Sequence, residues 1–213
     1  LVTGAARRIG RAMAEDLAAT GFAVAVHYHR SSAEAEEVVR AIAAKGGRAV
    51  ALGADLAREN EVAALLPCAV AALGPIGVLV NNASLFERDD ALSATRASWD
   101  AHLEPNLRAP FVLIQEFARQ LPPGAAGVVV NMIDQRVWNL TPYFTSYTLS
   151  KAGLWTLTRS LALALAPRIR VNAIGPGPTL PSPRQSETQF REQCARTPLQ
   201  RPTSPAEICA ALR

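Results

Sequence analysis

Six short apolar runs, each followed by a stretch with helical periodicity or turn residues, set the strongest limit on how this chain can fold. The runs are Leu1–Val2, FAVAVHY (22–28), RAVALGADL (48–56), VLVNNAS (78–84), GVVVNMID (127–134) and IRVNAIGPG (169–177). After the first run, Ile9, Met13 and Leu17 recur at helical spacing until Thr20-Gly21. A second helix enters at Ser31 or Ser32, turns Val38, Val39 and Ile42 inward and ends at Gly46-Gly47. A third is predicted around residues 59–73. Leu107, Phe111, Ile114, Ala118 and Leu121 form a helical stripe broken by Pro122-Pro123-Gly124. A long helix is predicted from about Tyr143 to Ala166, with Leu154, Leu157, Leu161 and Leu165 on one face.

Regular alternation of this kind gives a parallel sheet with helices on both faces, because parallel strands need crossover connections. Runs such as GVVV suit strands buried on both sides. With right-handed crossovers the result is an α/β fold, a doubly wound, Rossmann-type sheet. The length of 213 residues suits one domain spanning 1–213. Residues 178–204, rich in Pro, Ser, Thr, Gln and Arg, are expected to form a flexible substrate loop. The closing PLQRPTSPAEICAALR is expected to open the helix before a final strand, so the last helix and strand are expected to lie outside this sequence.

Only Lys45 and Lys151 are lysines, against twenty arginines, and the net charge is +4. Those arginines are scattered without interleaved aromatics, which marks a solvated surface rather than a nucleic-acid interface. Cys68, Cys194 and Cys209 are far apart and show no metal-ligand spacing. They are expected to be buried free thiols, with no metal, in a cytoplasmic protein. No apolar run approaches the roughly 18 residues of a membrane span.

In a doubly wound sheet the ligand lies at the carboxyl ends of the strands, and the first turn meets phosphate. Gly4 and Gly10 flank that turn in TGAARRIG (3–10), at the positive end of the first helix. Arg8 interrupts it where such turns commonly carry glycine. Binders of NAD place a carboxylate on the ribose about 20 residues later. No Asp or Glu occurs between Gly21 and Ala33; His29, Arg30 and Ser31 stand there instead. Donors and positive charge suit a 2′-phosphate, hence NADP(H). Further on, YTLSK (147–151) puts Tyr147 and Lys151 at i and i+4 on one helix face. A nearby ammonium favours phenolate and is expected to lower the tyrosine pKa.

TGAARRIG, Asp55-Leu56, NNAS (81–84), Asn106 in NLRAPF, YTLSK and IGPGP (174–178) together resemble the short-chain dehydrogenase/reductase family over essentially the whole chain. The resemblance implies cofactor contacts from Gly4, Arg8, Ile9, Gly10, His29, Arg30, Ser31, Asp55, Leu56, Asn82, Ala83, Ser84, Lys151, Pro176 and Gly177. It also implies that Tyr147 is the proton donor, that Lys151 holds the nicotinamide ribose, and that Asn106 holds a water leading from Lys151 to solvent. The family's usual serine about thirteen residues before the tyrosine is here Asp134. Arg8, HYHRS, NNAS followed by Leu85-Phe86, Asp134 and GPGPTLPS together resemble the pteridine reductases and their dihydromonapterin-reductase-like relatives. That branch implies reduction of a C=N bond in a pterin-like ring held by Arg8, Ser84, Phe86, Asp134 and Tyr147, and Asp134 is expected to be catalytic as well, forming a paired proton donor with Tyr147 and feeding protons through the phenol.

In that reading Arg8 spans the cofactor phosphates and the pterin, Phe86 is the ring platform, and Leu180 and Pro181 close over the substrate. Trp138 and Tyr143 are expected to line the pocket or pack its wall, and His102 to be a surface or packing histidine. Phe117 and Trp155 suggest apolar helix faces for a homo-oligomer, and the family implies a tetramer. The competing activity is reduction of a ketone, such as a 3-ketoacyl thioester or a sugar. A cofactor-sensing protein without catalysis is disfavoured by Asn106, Tyr147 and Lys151 occurring together.

Overall fold

The structure, a computed structural model, describes residues 1–182 and 185–213. Five strands pair in parallel: β1 (Val24–Tyr28), β2 (Ala49–Gly53), β3 (Val78–Asn81), β4 (Gly127–Met132) and β5 (Ile169–Ile174). The opening segment completes the sheet. Val2 bridges Val26 of β1 on one side and Val80 of β3 on the other. Its neighbours lock the register, with Thr3 N–H donating to Val80 O at 3.0 Å and Val80 N–H to Leu1 O at 2.8 Å. The order across the sheet is therefore β2, β1, opening segment, β3, β4, β5. Successive strands are added outward in one sense from the opening segment and in the other from β3, and this switch makes the crevice at their carboxyl ends the expected ligand site.

Helices cover both faces. α1 (Arg8–Ala19), α2 (Ser32–Ala44) and α8 (Pro205–Leu212) pack with Val2, Val24 and Val26 in one core. α3 (Glu59–Leu73), α5 (Ala109–Gln120) and part of α6 (Thr145–Leu165) build the other around Leu79, Val129 and Phe117. Burying such apolar surface contributes roughly 25 cal/mol per Å². A buried polar chain ties α6 to the sheet: Asn81 Nδ2 donates to Asn131 Oδ1 at 2.8 Å, and Asn131 Nδ2 to Thr158 Oγ1 at 2.9 Å.

The strands are shorter than the apolar runs that announce them. Ala54–Leu56, Asn82–Ser84, Ile133–Asp134 and Gly175–Gly177 leave the ladder at its carboxyl end and become the loops that carry the candidate site. α4 (Arg96–Leu103) was not expected. It starts at a capping box in which Thr95 and Ser98 exchange side-chain and backbone bonds. A π-helical turn, Glu104–Arg108, joins it to α5. The wider turn shifts the phase of the stripe. Ala109, Val112, Leu113 and Phe117 share the buried face with Ile114, whereas Leu107, Phe111 and Ala118 are only partly buried.

Among the described residues after β5, α7 (Glu187–Ala195) is opened by a Ser186–Gln189 capping box, and Cys194 is buried. Pro183 and Arg184 lie outside the described residues. Phe117 is fully buried and its ring crowds Gly127, where a Cβ would come within 2.7 Å, so it offers no face to a partner. Trp155 packs edge-on against Trp138. Cys68 is exposed, contrary to its expected burial; Cys194 and Cys209 are buried. No described helix is long and apolar enough to cross a membrane. A cavity of about 340 Å³ opens at the amino ends of the strands, beside Leu1, Phe22, Arg48 and Gly77, on the edge opposite the loops just named.

His27, on β1, holds the first turn in place. Gly4 N–H donates to its Nδ1 at 3.0 Å, so Nε2 carries the proton and donates to Ala54 O at 3.0 Å. Burial lowers the pKa of His27 to about 4, from an ordinary value of 6.5. The unfolded chain therefore binds the extra proton first, and this contribution to stability is lost as pH falls from about 6.5 towards 4. The midpoint of thermal unfolding is expected to fall across that window, and the untitratable His27→Gln variant to show a shallower slope. Equal slopes in the two proteins would place the acid sensitivity elsewhere.

Candidate active site

The first turn is interlocked with the end of β3. Thr3 Oγ1 accepts from Asn82 N–H and Ala83 N–H, both at 2.9 Å, and Asn82 Nδ2 donates to Thr3 O at 2.8 Å. A Cβ on Gly10 would lie 2.3 Å from Gly4 O and 2.6 Å from Asn82 Nδ2, so this crossing excludes any larger residue. Arg8 has φ 54°, in the left-handed region that favours glycine. Its guanidinium donates to Leu180 O and Pro181 O, each at 3.0 Å, linking the first turn to the segment after β5. Such a conformation typically costs about 1–2 kcal/mol, which these two bonds help to offset. The N–H groups of Arg8, Ile9 and Gly10, at the positive end of α1, have no acceptor among the described residues. Free N–H groups at a helix start form a ready anion site.

Beyond β1, His29 and Arg30 are exposed and Ser31 precedes α2. His29 Nε2 stands 3.7 Å from Asp55 Oδ2, so the ends of β1 and β2 meet there. The Leu56 side chain is buried in the core behind the loop. Pro176 and Gly177 lie on the far side of the crevice, where Thr179 Oγ1 donates to Gly177 O at 3.0 Å.

At the centre, Tyr147 O–H donates to Asp134 Oδ2 at 2.8 Å. Asp134 Oδ1 accepts Arg136 N–H at 2.9 Å, which fixes the carboxylate. The expected lowering of the tyrosine pKa is not found. Burial, and then the Asp134 charge and hydrogen bond, push Tyr147 well above its ordinary value; Arg136 and Ser84 oppose them more weakly. Lys151 does not reach the phenol oxygen to offset this. Its Nζ donates to Met132 O at 2.8 Å and sits 5.8 Å from the Tyr147 ring centre. Burial lowers its pKa to about 8, with Asp134 acting in the opposite direction.

Asn106, in the π-helical turn, is fully buried. Its Oδ1 accepts Leu85 N–H at 2.8 Å, while Nδ2 donates to Leu85 O at 2.9 Å and Ser150 Oγ at 3.0 Å. The side chain therefore fixes the loop that carries Ser84 and Phe86. Phe86 is 37% exposed. It stacks on Phe144 with centroids 4.4 Å apart and meets the Tyr147 ring edge-on at 4.6 Å. The Arg136 guanidinium lies 4.7 Å from the centre of Phe144 and 5.5 Å from that of Phe86. Trp138 is exposed, and Tyr143 lies beneath Arg88, 4.1 Å from its ring centre.

Several members of this group carry no signal in the local sequence. Phe144 holds φ 63° at the start of α6, and nothing in its local sequence announces a left-handed phenylalanine. Arg136 is two residues from Asp134, and the turn QRV that aims it has no spacing rule. His102, read as a surface or packing residue, is completely buried and bonded at both ring nitrogens.

The chain matches the profile of the short chain dehydrogenase family over residues 1–192. A crystal structure of FolM Alternative dihydrofolate reductase 1 from Brucella canis, complexed with NADP, is 50% identical over all of this chain and 84% of that one, with a TM-score of 0.96. A short chain dehydrogenase from Burkholderia cenocepacia in complex with NADP is 34% identical over 99% of this chain and 86% of that one, at a TM-score of 0.92. The 3-oxoacyl-[acyl-carrier-protein] reductase FabG of Staphylococcus epidermidis is 37% identical across 178 residues, 83% of this chain and 73% of that protein. With the parallel sheet, the interlocked first turn and the Tyr147–Lys151 face of α6, these matches establish that the chain belongs to the short-chain dehydrogenase/reductase family.

Proposed function

We propose that this protein binds NADP(H) and reduces a C=N bond in a pterin-like ring. The observation that carries the reading is the 2.8 Å bond from Tyr147 to Asp134, a carboxylate at the position where the family resemblance implies a serine. A serine hydroxyl can donate to a carbonyl oxygen; an ionised carboxylate only accepts. Beside the phenol, it suits a substrate that presents N–H donors. The likeness to the Brucella FolM structure supports the same reading.

The residues fit the cofactor. Free N–H groups at the start of α1 suit its pyrophosphate, and the exposed His29 and Arg30, with no carboxylate on that turn, suit a 2′-phosphate. When bound, NADPH supplies the hydride. Tyr147 supplies the proton, its pKa held high so that the phenol stays protonated until it acts. Lys151, one helical turn away on the same face and held on the Met132 carbonyl, is a buried positive charge of the site, and Asp134 accepts the phenolic O–H. Phe86, backed by Phe144 and set edge-on to the Tyr147 ring, is the residue that would stack against a flat ring beside the phenol. Arg8 joins the anion site to Leu180 and Pro181, which border the crevice.

NADPH oxidation assayed with a 7,8-dihydropterin and with a 3-ketoacyl thioester is expected to show turnover of the dihydropterin alone. Turnover of the ketone alone would keep the family chemistry and reject the pterin ring; the FabG relative is the reason to include it. Tyr147→Phe is expected to lower kcat by about 10²–10⁴-fold with NADPH affinity nearly intact; parallel loss of both would make the tyrosine structural. Arg30→Ala is expected to weaken NADPH far more than NADH, and equal weakening would refute the 2′-phosphate site. Because Lys151 loses its charge as pH rises through about 8, kcat/KM is expected to decline on an alkaline limb there. A profile flat beyond that pH would remove the Lys151 charge from the reaction.

A further inference from the structure

We propose that His102 is a positioning residue that sets the spacing between the Phe86 platform and the Tyr147 phenol. Three polar side chains, Asp89, His102 and Ser146, lie behind the site and are almost wholly buried, at 3%, 0% and 0% exposure. None of them faces the crevice as a reacting group. Buried polar side chains need full hydrogen bonding to be tolerated, and their bonds here are directional enough to fix the proton positions.

Glu87 N–H donates to His102 Nε2 at 3.0 Å. A backbone amide has no other role, so Nε2 is the unprotonated nitrogen and the ring proton sits on Nδ1. Nδ1–H then faces Ser146 Oγ at 2.7 Å and Ser98 O at 3.0 Å. Ser146 Oγ passes its own proton towards Asp89 Oδ2, and Ser146 N–H donates to Asp89 Oδ1 at 3.2 Å. Asp89 O accepts Phe144 N–H at 2.6 Å. The chain of bonds leaves the 84–90 loop at Glu87, crosses α4 through His102, reaches the start of α6 at Ser146 and returns to the same loop at Asp89.

Each end of this circuit adjoins a member of the site. Glu87 follows Phe86, and Ser146 precedes Tyr147. The Asp89 carbonyl holds Phe144 N–H, at the residue that adopts φ 63° and stacks on Phe86. The His102 ring also stands edge-on to Tyr147, with centroids 6.1 Å apart. One imidazole therefore couples the loop that presents the ring platform to the helix turn that presents the proton donor. Only its neutral Nδ1–H form makes both connections, because a proton on Nε2 would point at the Glu87 N–H.

The proposal does not require the substrate to be a pterin, so its test uses whichever of the two substrate classes the wild-type enzyme reduces. Glutamine at this position places an amide oxygen near the Nε2 site; asparagine places an amide N–H near the Nδ1 site. His102→Gln is expected to keep the Glu87 amide protected from hydrogen exchange and KM within about twofold, with kcat reduced at least about fivefold. His102→Asn is expected to speed exchange at Glu87 and raise KM about tenfold, with the smaller change in kcat. His102→Leu, which breaks both connections, should combine the two defects; if it does not fold, the other two variants decide the matter. NADPH affinity should stay near the wild-type value throughout, since the first turn lies outside the circuit. The proposal is overturned if the Gln and Asn variants lower only the unfolding temperature, or if their KM and kcat change in the same proportion.

Discussion

The hydrogen bond from Tyr147 to Asp134 is the interaction around which the rest of this site is arranged. It joins two elements that share no local sequence: the loop leaving β4 and the first turn of α6. The Tyr147 side chain is buried while Asp134 is half-buried, and leaving a buried polar group unpaired costs about 1–3 kcal/mol. The Asn81–Asn131–Thr158 chain fixes α6 against the sheet farther along the same helix. The phenol thus reaches the carboxylate by rigid placement of an element, rather than by rearrangement of a loop.

The proposed site divides into two halves. In the half proposed for the cofactor, the first turn crosses the end of β3 at Gly10, where there is no room for a Cβ, while Thr3 Oγ1 gathers the Asn82 and Ala83 amides and His27 Nδ1 receives the Gly4 amide. In the half proposed for the substrate, side chains hold the loops. Asn106 grips Leu85, His102 grips Glu87, and Asp89 receives the amides of Phe144 and Ser146. Arg8 is the direct connection between them, with its backbone in the first turn and its guanidinium on the carbonyls of Leu180 and Pro181. A glycine there would adopt the same φ without strain but would leave that connection unmade.

The strand–helix alternation made the fold legible, because period-2 and period-3.6 patterns report burial directly. Gly4, Gly10, Tyr147 and Lys151 were legible because each depends on fixed spacing within one element or turn. α4, α7 and the π-helical turn were hidden for a different reason. They are short and depend on caps at Thr95 and Ser186, so their apolar periodicity is weak. His102, Asp89 and Ser146 could not be grouped from sequence, since 44 residues separate the histidine from the serine. The lowered tyrosine pKa failed for a physical reason: the i, i+4 rule places Lys151 on the right face, but its ammonium is taken by the Met132 carbonyl while Asp134 takes the phenol.

The carboxylate beside Tyr147 is proposed to adapt this fold to a pterin-like ring, and the kcat/KM of Asp134→Ser for a 7,8-dihydropterin, taken together with its NADPH affinity, tests that role. A loss on the order of 10²-fold or more in dihydropterin turnover is expected, with NADPH bound as tightly as by the wild-type protein. Dihydropterin turnover at the wild-type level in Asp134→Ser would contradict it, and would leave the Tyr147–Asp134 bond as a feature of folding alone.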